Sequence, residues 1–173
     1  MNINLITLLL VVIIIGYGLF VMFTNIKRYV KCTKAKKEFL ETTKEQIEVF
    51  SDALIWCVGC IVVTMLIAFA LVYEIQNTKD ELSIATYTFA ILFLLSMISE
   101  FLIKRTILFS DTGFFYEETF HRFRNVRKIE RAKGMFVRYE VQIASNKQIV
   151  PKKIGNLLMK HYEDYKKEKK KRK

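Results

Sequence analysis

The sequence predicts an α-helical membrane protein: three transmembrane helices, then a small C-terminal α+β cytoplasmic domain built as an antiparallel β-meander with one packing helix. Three observations predict it. Apolar residues (52%) and charged residues (26%) are segregated along the 173-residue chain rather than mixed. Lys and Arg crowd two segments and nearly avoid a third. The hydrophobic pattern also changes from continuous to alternating shortly after residue 105.

The apolar runs cover residues 3–23, 53–73 and 84–103. A helix rises about 1.5 Å per residue, so each run covers roughly the 30 Å of a bilayer's hydrocarbon. Three such runs in so short a chain leave too little other material to bury them as core helices. The first, INLITLLLVVIIIGYGLFVMF, has no basic residue ahead of it and no small-x-small cleavage site before Lys27. It reads as a retained anchor, not a removable signal peptide. The predicted organisation is a first span over 1–25, a basic helical loop over 26–50, a second span over 51–73 and a short external loop over 74–82. A third span over 83–103, a folded domain over 104–165 and a basic tail over 166–173 complete it.

Cations set the orientation. Between the first two spans lie Lys27, Arg28, Lys31, Lys34, Lys36, Lys37 and Lys44, whereas EIQNTKDE, between the second and third, has Lys79 alone against three acids. From Lys104 onward there are 20 Lys and Arg against 8 Asp and Glu. The positive-inside rule therefore places the N-terminus outside, with the first loop and the C-terminal region in the cytoplasm of a multi-pass cell-membrane protein. The loop NIKRYVKCTKAKKEFLETTKEQIEVFSD lacks Gly and Pro and is predicted to run as helix from one span into the next. Its leading cations, Lys27, Arg28, Lys31, Lys34, Lys36 and Lys37, together with Lys104 and Arg105, fall where the anionic headgroups of the inner leaflet would meet them, about 1 kcal/mol each.

Within the second span, ALIWCVGCIVV carries a W-C-x-x-C motif. A redox dithiol needs its first Cys at a helix N-terminus after a strand, where the thiolate is stabilised. Cys57 would instead lie inside a helix, in hydrocarbon, beside a reducing compartment. The spacing of Ala53, Cys57, Cys60, Thr64 and Ala68 makes one stripe of small residues, the pattern that lets membrane helices approach closely. That helix-packing seam is the preferred reading, and an intramembrane dithiol redox protein is the alternative. Two sulfurs without further His or Cys do not complete a zinc site. Glu100, near the end of the third span, is expected to pair with Lys104 one turn on.

After Thr106, ILFS-DTG-FFYEETFHRF reads as a hairpin around Asp111–Gly113, VRKIERA as a strand, and QIVPK as a last strand closed by Pro151. In MFVRYEVQIAS, Met135, Val137, Tyr139, Val141 and Ile143 alternate with more polar residues, as in a half-buried strand. The expected meander has about five strands. Ile154, Leu157, Leu158, His161, Tyr162 and Tyr165 share one helical face fit to cover it, with His161 as a packed residue. The tail KKEKKKRK is expected to be a solvated extension.

The segment SDTGFFYEETFHRFRNVRKIERAKGMFVRYEVQI, with Gly113, then Phe123-x-x-Val126, and a helix from about Ile154, resembles the bacterial pleckstrin-homology-like domain of short membrane proteins, mostly from Gram-positive species. Phe123 stands where that pattern has Trp. The resemblance covers about residues 105–165. It implies a PH-like fold, no catalytic residues and, for some relatives, self-immunity against a membrane-active bacteriocin.

No Walker-type loop, H-E-x-x-H, G-x-S-x-G or paired-carboxylate motif occurs. The expected function is therefore non-enzymatic, with no cofactor and no metal: an interaction module at the inner membrane face, contacting lipid and a protein partner. A transport path through spans so apolar would need a homo-oligomer to build it. Arg122, Arg124, Arg127, Lys128, Arg131 and Arg138 form a possible partner surface beside aromatics. Nucleic-acid binding there is the weaker alternative to a basic face turned toward anionic lipid.

Overall fold

In a computed structural model the described residues are 5–43, 45–132, 138–144 and 146–171. They divide into two compact units, one holding residues 1–30 and 53–102, the other 31–52 and 103–173.

The first unit is helical. It contains the first part of α1 (Leu5–Thr42), α2 (Ala53–Asn77) and most of α3 (Glu81–Lys104), and all three helices are long and apolar enough to cross a membrane. α1 is an unbroken 38-residue helix because nothing from Leu5 to Thr42 stops one: the stretch lacks Pro, and its two glycines lie in a dense apolar run. Asp80 starts α3, its carboxylate accepting from the Ser83 amide and hydroxyl at 3.0 and 2.6 Å, an N-cap that also holds Asp80 below the usual carboxylate range. Tyr17 stacks on Phe89 with ring centres 6.2 Å apart, and Asn25 Nδ2 donates to Ser96 Oγ at 3.2 Å. These contacts and the Arg28–Glu100 pair keep a nearly constant separation of 71 to 72 residues, so α1 and α3 run parallel. On α1 the less exposed positions Thr7, Val11, Ile14, Gly18, Val21, Asn25 and Arg28 repeat every four and three residues, the period of a helix seam. Gly18 allows a close approach there, since a Cβ would stand 3.0 Å from Cδ2 of Phe89.

The second unit is a β-sandwich. Its first sheet has the order β1 (Glu48–Ser51), β2 (Thr106–Ser110), β3 (Gly113–Tyr116), β4 (Thr119–Arg122), all antiparallel. Its second has β5 (Val126–Arg131), β6 (Arg138–Ile143), β7 (Asn146–Pro151), also antiparallel. A 3-10 turn at Phe123–Asn125 joins the sheets, and α4 (Lys152–Lys171) follows β7. Phe109, Phe114, Ile107 and Tyr116 face inward from the first sheet; Val126, Tyr139, Val141, Ile143 and Val150 face them from the second; Ile154 and Leu158 of α4 close the core.

The first sheet is covered on both faces, which explains why every residue of β3 is buried. Leu108, Phe115 and Phe120 share its other face by register. Phe39, on the last turns of α1, stacks on Phe115 and Phe120 at 5.2 and 5.0 Å. Two turns earlier, the Cys32 thiol donates to the Glu117 carbonyl at 2.7 Å and Lys31 pairs with Glu118 at 2.6 Å. These contacts grip the two-residue β3–β4 turn, where Glu117 takes φ 56°, a left-handed conformation unusual for a non-glycine.

Several expectations are corrected. The loop between the first two helices is not helical throughout: α1 ends at Thr42 and EVFS forms β1. The alternation of Glu48 and Phe50 with Val49 and Ser51 decided this over helix propensity, because the alternate side chains meet the row Ile107 and Phe109 of β2. The described sandwich therefore has seven strands instead of about five, and its material begins at residue 31, not 104. The part of the tail before Arg172 is exposed, as expected, but it continues α4 as helix to Lys171. Lys44, Gly134, Met135, Val137 and Ser145 lie outside the described residues.

Candidate functional site

The cations expected at headgroups differ in exposure and in pairing. Lys27, Lys31, Lys34, Lys37 and Lys104 are exposed, and Lys37 lies 3.8 Å from Glu41. Arg28, Lys31 and Arg105 are committed to carboxylates: Arg28 to Glu100 at 2.7 Å, Lys31 to Glu118, and Arg105 to Asp52 at 3.1 Å. Lys36 is half-buried. Glu100 thus pairs across to α1, where Arg28 lies on the seam that meets α3. Asp52, which is 8% exposed, also has Lys153 of α4 at 3.7 Å, and its amide donates to the Arg105 carbonyl at 3.1 Å. It ties the end of β1 to the start of β2 and the start of α4.

Ala53 is buried on α2, while Cys57, Cys60, Thr64 and Ala68 are half-buried positions on a helix otherwise largely exposed. The two cysteines are free thiols, and the Thr64 hydroxyl donates to the Cys60 carbonyl at 2.7 Å.

Arg122, Arg124, Arg127, Lys128, Arg131 and Arg138 are all exposed, but they do not converge on one face. Register places Lys128 opposite Gln142 on the outer face of the second sheet, where it pairs with Glu130 at 2.5 Å, and places Arg131 opposite the inward Tyr139. Arg138 stands opposite Pro151 at the far end of β6. Glu140 pairs with Lys147 at 2.7 Å on the same outer face, holding that ammonium above its usual value. The outer face is mixed in sign. Arg122 and Arg124 belong elsewhere, near Phe39, Phe120 and Glu45.

A concavity of about 690 Å³ lies where β1, the β2–β3 turn and α4 meet. The buried core residues Phe109 and Phe123 lie beneath it, and Tyr165 and His161, the latter stacked on Phe109 with ring centres 4.1 Å apart, form part of its wall. Glu48, Asp111, Asp164 and Glu168 also line it, and none of the described lining residues is Lys or Arg. Three elements bring these acids together. Glu48 stands opposite Phe109 in the β1–β2 register, Asp111 occupies the two-residue β2–β3 turn, and Asp164 and Glu168 are four apart on α4. His161 Nε2 is 3.5 Å from Glu48 Oε2, and Asp164 has Lys167 at 3.2 Å. The sequence carried no clear signal for this arrangement: EVFS puts one apolar residue on each face, and without β1 the four acids are scattered over 121 positions and have no common face.

His121 takes no part in the site. It faces the core side of edge strand β4 opposite Phe114, its Nε2 lies 2.8 Å from the Thr119 hydroxyl, and burial pushes its pKa below 6.5. Among the described residues no group of three or more His, Cys, Asp and Glu could hold a metal ion. Comparison with protein-family models, with curated proteins and with solved structures gives no match.

Proposed function

We propose that this chain is a non-enzymatic, multi-pass protein of the cell membrane whose second unit is a PH-like interaction module presented at the inner face. The observation that carries the reading is the order of elements in that unit: an antiparallel four-stranded sheet, an antiparallel three-stranded sheet and a closing C-terminal helix. That is the arrangement of a PH-like sandwich, and it supports the likeness carried by Gly113 and Phe123-x-x-Val126. The orientation rests on cations. Because β1 and β2 pair in one sheet, the segments before α2 and after α3 share one side of the membrane, and both are the Lys- and Arg-rich ones. Lys27 and Lys34 are among the exposed cations that anionic lipid would meet.

A protease added to intact cells should leave a C-terminal tag uncut, and the same protease added to inverted membrane vesicles should remove it; the opposite pattern ends the reading. Bacteriocin self-immunity is the sharpest form of the proposal and is supported only by the resemblance. Cells producing the protein should then tolerate a membrane-active cationic bacteriocin that kills their parent strain, and equal killing removes that form.

A further inference from the structure

We propose that the outward face of α4 is a docking surface for anionic phospholipid of the inner leaflet. The inference rests on the module reading above and deepens it by naming the surface and the partner's chemistry.

α4 has two faces of different chemistry. Ile154, Leu158 and Tyr165 face the core. Opposite them, at 3.6 residues per turn, Lys152, Lys153, Lys160, Lys167, Lys170 and Lys171 fall within an arc of about 100°, and all are exposed. Glu163 is the one acid in that arc; Asp164 and Glu168 lie outside it, on the side that lines the concavity. The stripe runs from the first turn of the helix to the last, about 30 Å. Lys153 lies 3.7 Å from Asp52 and Lys167 3.2 Å from Asp164, yet their side chains stay 61% and 70% exposed.

A second feature is where α4 ends. Tyr165 is its last residue packed against the core, and the helix continues to Lys171 with every later residue exposed. Over that length Lys166 stands three and four residues from Lys169 and Lys170, and Lys167 three and four from Lys170 and Lys171. Like charges at these spacings destabilise a helix, and burial does not offset them there. Negative charge spread along the helix removes the repulsion, so this end of α4 gains from a partner that is anionic over a comparable length.

A leaflet of anionic headgroups is such a partner. It is a continuous sheet of phosphate that meets the stripe along its whole length, and it is at hand for a chain anchored in the same bilayer. Each Lys close to an anionic leaflet strengthens the contact about fivefold. Single-stranded nucleic acid offers the same phosphate charge, but its binding also draws on aromatic rings that stack with bases, and the arc holds none.

The test follows hydrogen exchange of α4 in the full-length protein, held in nanodiscs of phosphatidylcholine alone or mixed with phosphatidylglycerol. Peptides from the last two turns of α4 should exchange about tenfold more slowly in the anionic discs at about 0.1 M salt, and the difference should vanish near 0.5 M. Lys160→Gln, Lys167→Gln and Lys170→Gln together should abolish it, and the same three changed to Arg should keep it. Lys128→Gln with Lys147→Gln, on the outer face of the second sheet, should leave it intact. Unfolding midpoints report whether each variant folds; if the Gln triple does not, Lys170→Glu with Lys171→Glu, beyond the last core residue, replaces it. Equal exchange in the two discs, a difference that survives the Gln triple, or an equal loss with Lys128→Gln and Lys147→Gln would each overturn the proposal. So would a greater slowing in neutral discs on adding single-stranded DNA, which would make the stripe a nucleic-acid surface. Equal exchange with the C-terminal tag still protected leaves the membrane-module reading standing, whereas a tag cleaved on intact cells removes that reading whatever α4 does.

Discussion

Gly155→Ala tests whether α4 docks on the second sheet as closely as the structure shows. Gly155 is buried on α4, and a Cβ there would stand 2.3, 2.5 and 2.7 Å from Cδ2, Cγ and Cβ of Tyr139. Ordinary contact needs about 3.5–4.0 Å between carbons, so helix and ring must separate by roughly 1 Å or more. Tyr139 cannot retreat freely, since its neighbours in the core are the buried Val141, Val150 and Ile154. Overpacking of this kind costs about 1–3 kcal/mol, and replacing Gly by Ala inside a helix returns up to about 1 kcal/mol. The expected net loss is about 1–2 kcal/mol. Asn156→Ala, one residue on and exposed, gains helix propensity without the clash and should stabilise slightly. Hydrogen exchange of the full-length protein in detergent separates the two. Peptides from α4 and β6 should exchange about tenfold faster in Gly155→Ala and no faster in Asn156→Ala, because 1.4 kcal/mol is a factor of ten in the opening equilibrium. Adding Tyr139→Leu to Gly155→Ala should cost less than the sum of the two single changes, the signature of a shared contact. Unaltered protection in Gly155→Ala would refute the close docking and, with it, the position of Asp164 and Glu168 at the concavity.

Three further outcomes follow from named contacts. Arg28→Gln and Glu100→Gln should each lower the unfolding midpoint in detergent, while a double-mutant cycle returns a coupling of about 1–2 kcal/mol, since the pair is 2.7 Å long and its side chains are only 35% and 14% exposed; a zero coupling would mean that the two charges act separately. Replacing both Cys57 and Cys60 with Ala should leave membrane insertion and unfolding midpoint unchanged, whereas loss of function at equal expression would restore the dithiol reading. The folded protein refuses a proton at His121 that the unfolded chain accepts, so stability should fall as pH drops below 6.5 and level off once the depressed folded pKa is passed. His121→Asn should flatten that part of the stability profile.

How far the sequence could be read depended on whether a segment's pattern was set by its own surroundings or by a distant partner. The three apolar helices were legible because hydrocarbon imposes length and composition on each span independently of the others. The hairpin at Asp111–Gly113, the strands VRKIER and QIVP, and the face Ile154, Leu158, Tyr162 of α4 were legible because each has one buried side and a clear period. What escaped was material whose partner lies far along the chain. EVFS is four residues long and finds its neighbour at Thr106–Phe109, beyond two helices. Phe39 looked like part of a basic connector and is the cover of the first sheet. Arg28 as a partner of Glu100 also escaped, because the seam period of α1 brings it there from 72 residues away. The concavity depended on β1, so reading β1 as helix hid it altogether.

The placement of β1 has a consequence for assembly. Its four residues are joined to the rest of the sandwich only through α2 and α3, and every hydrogen bond it makes in the first sheet is to β2, which begins directly after α3. Ser51 and Thr106 face each other at the end of that pairing, with their hydroxyls 3.0 Å apart, and Arg105 reaches Asp52 next to them. The β1–β2 ladder can therefore form only when both ends of the α2–α3 hairpin have been delivered to the same side of the membrane. Closing so long a loop costs little more entropy than closing a short one if the loop is flexible, but here it is two helices that must first insert. Glu48, carried on β1, reaches the concavity only after that insertion is complete. The placement of Glu48 opposite Phe109 and beside His161 thus depends on how the α2–α3 hairpin is delivered.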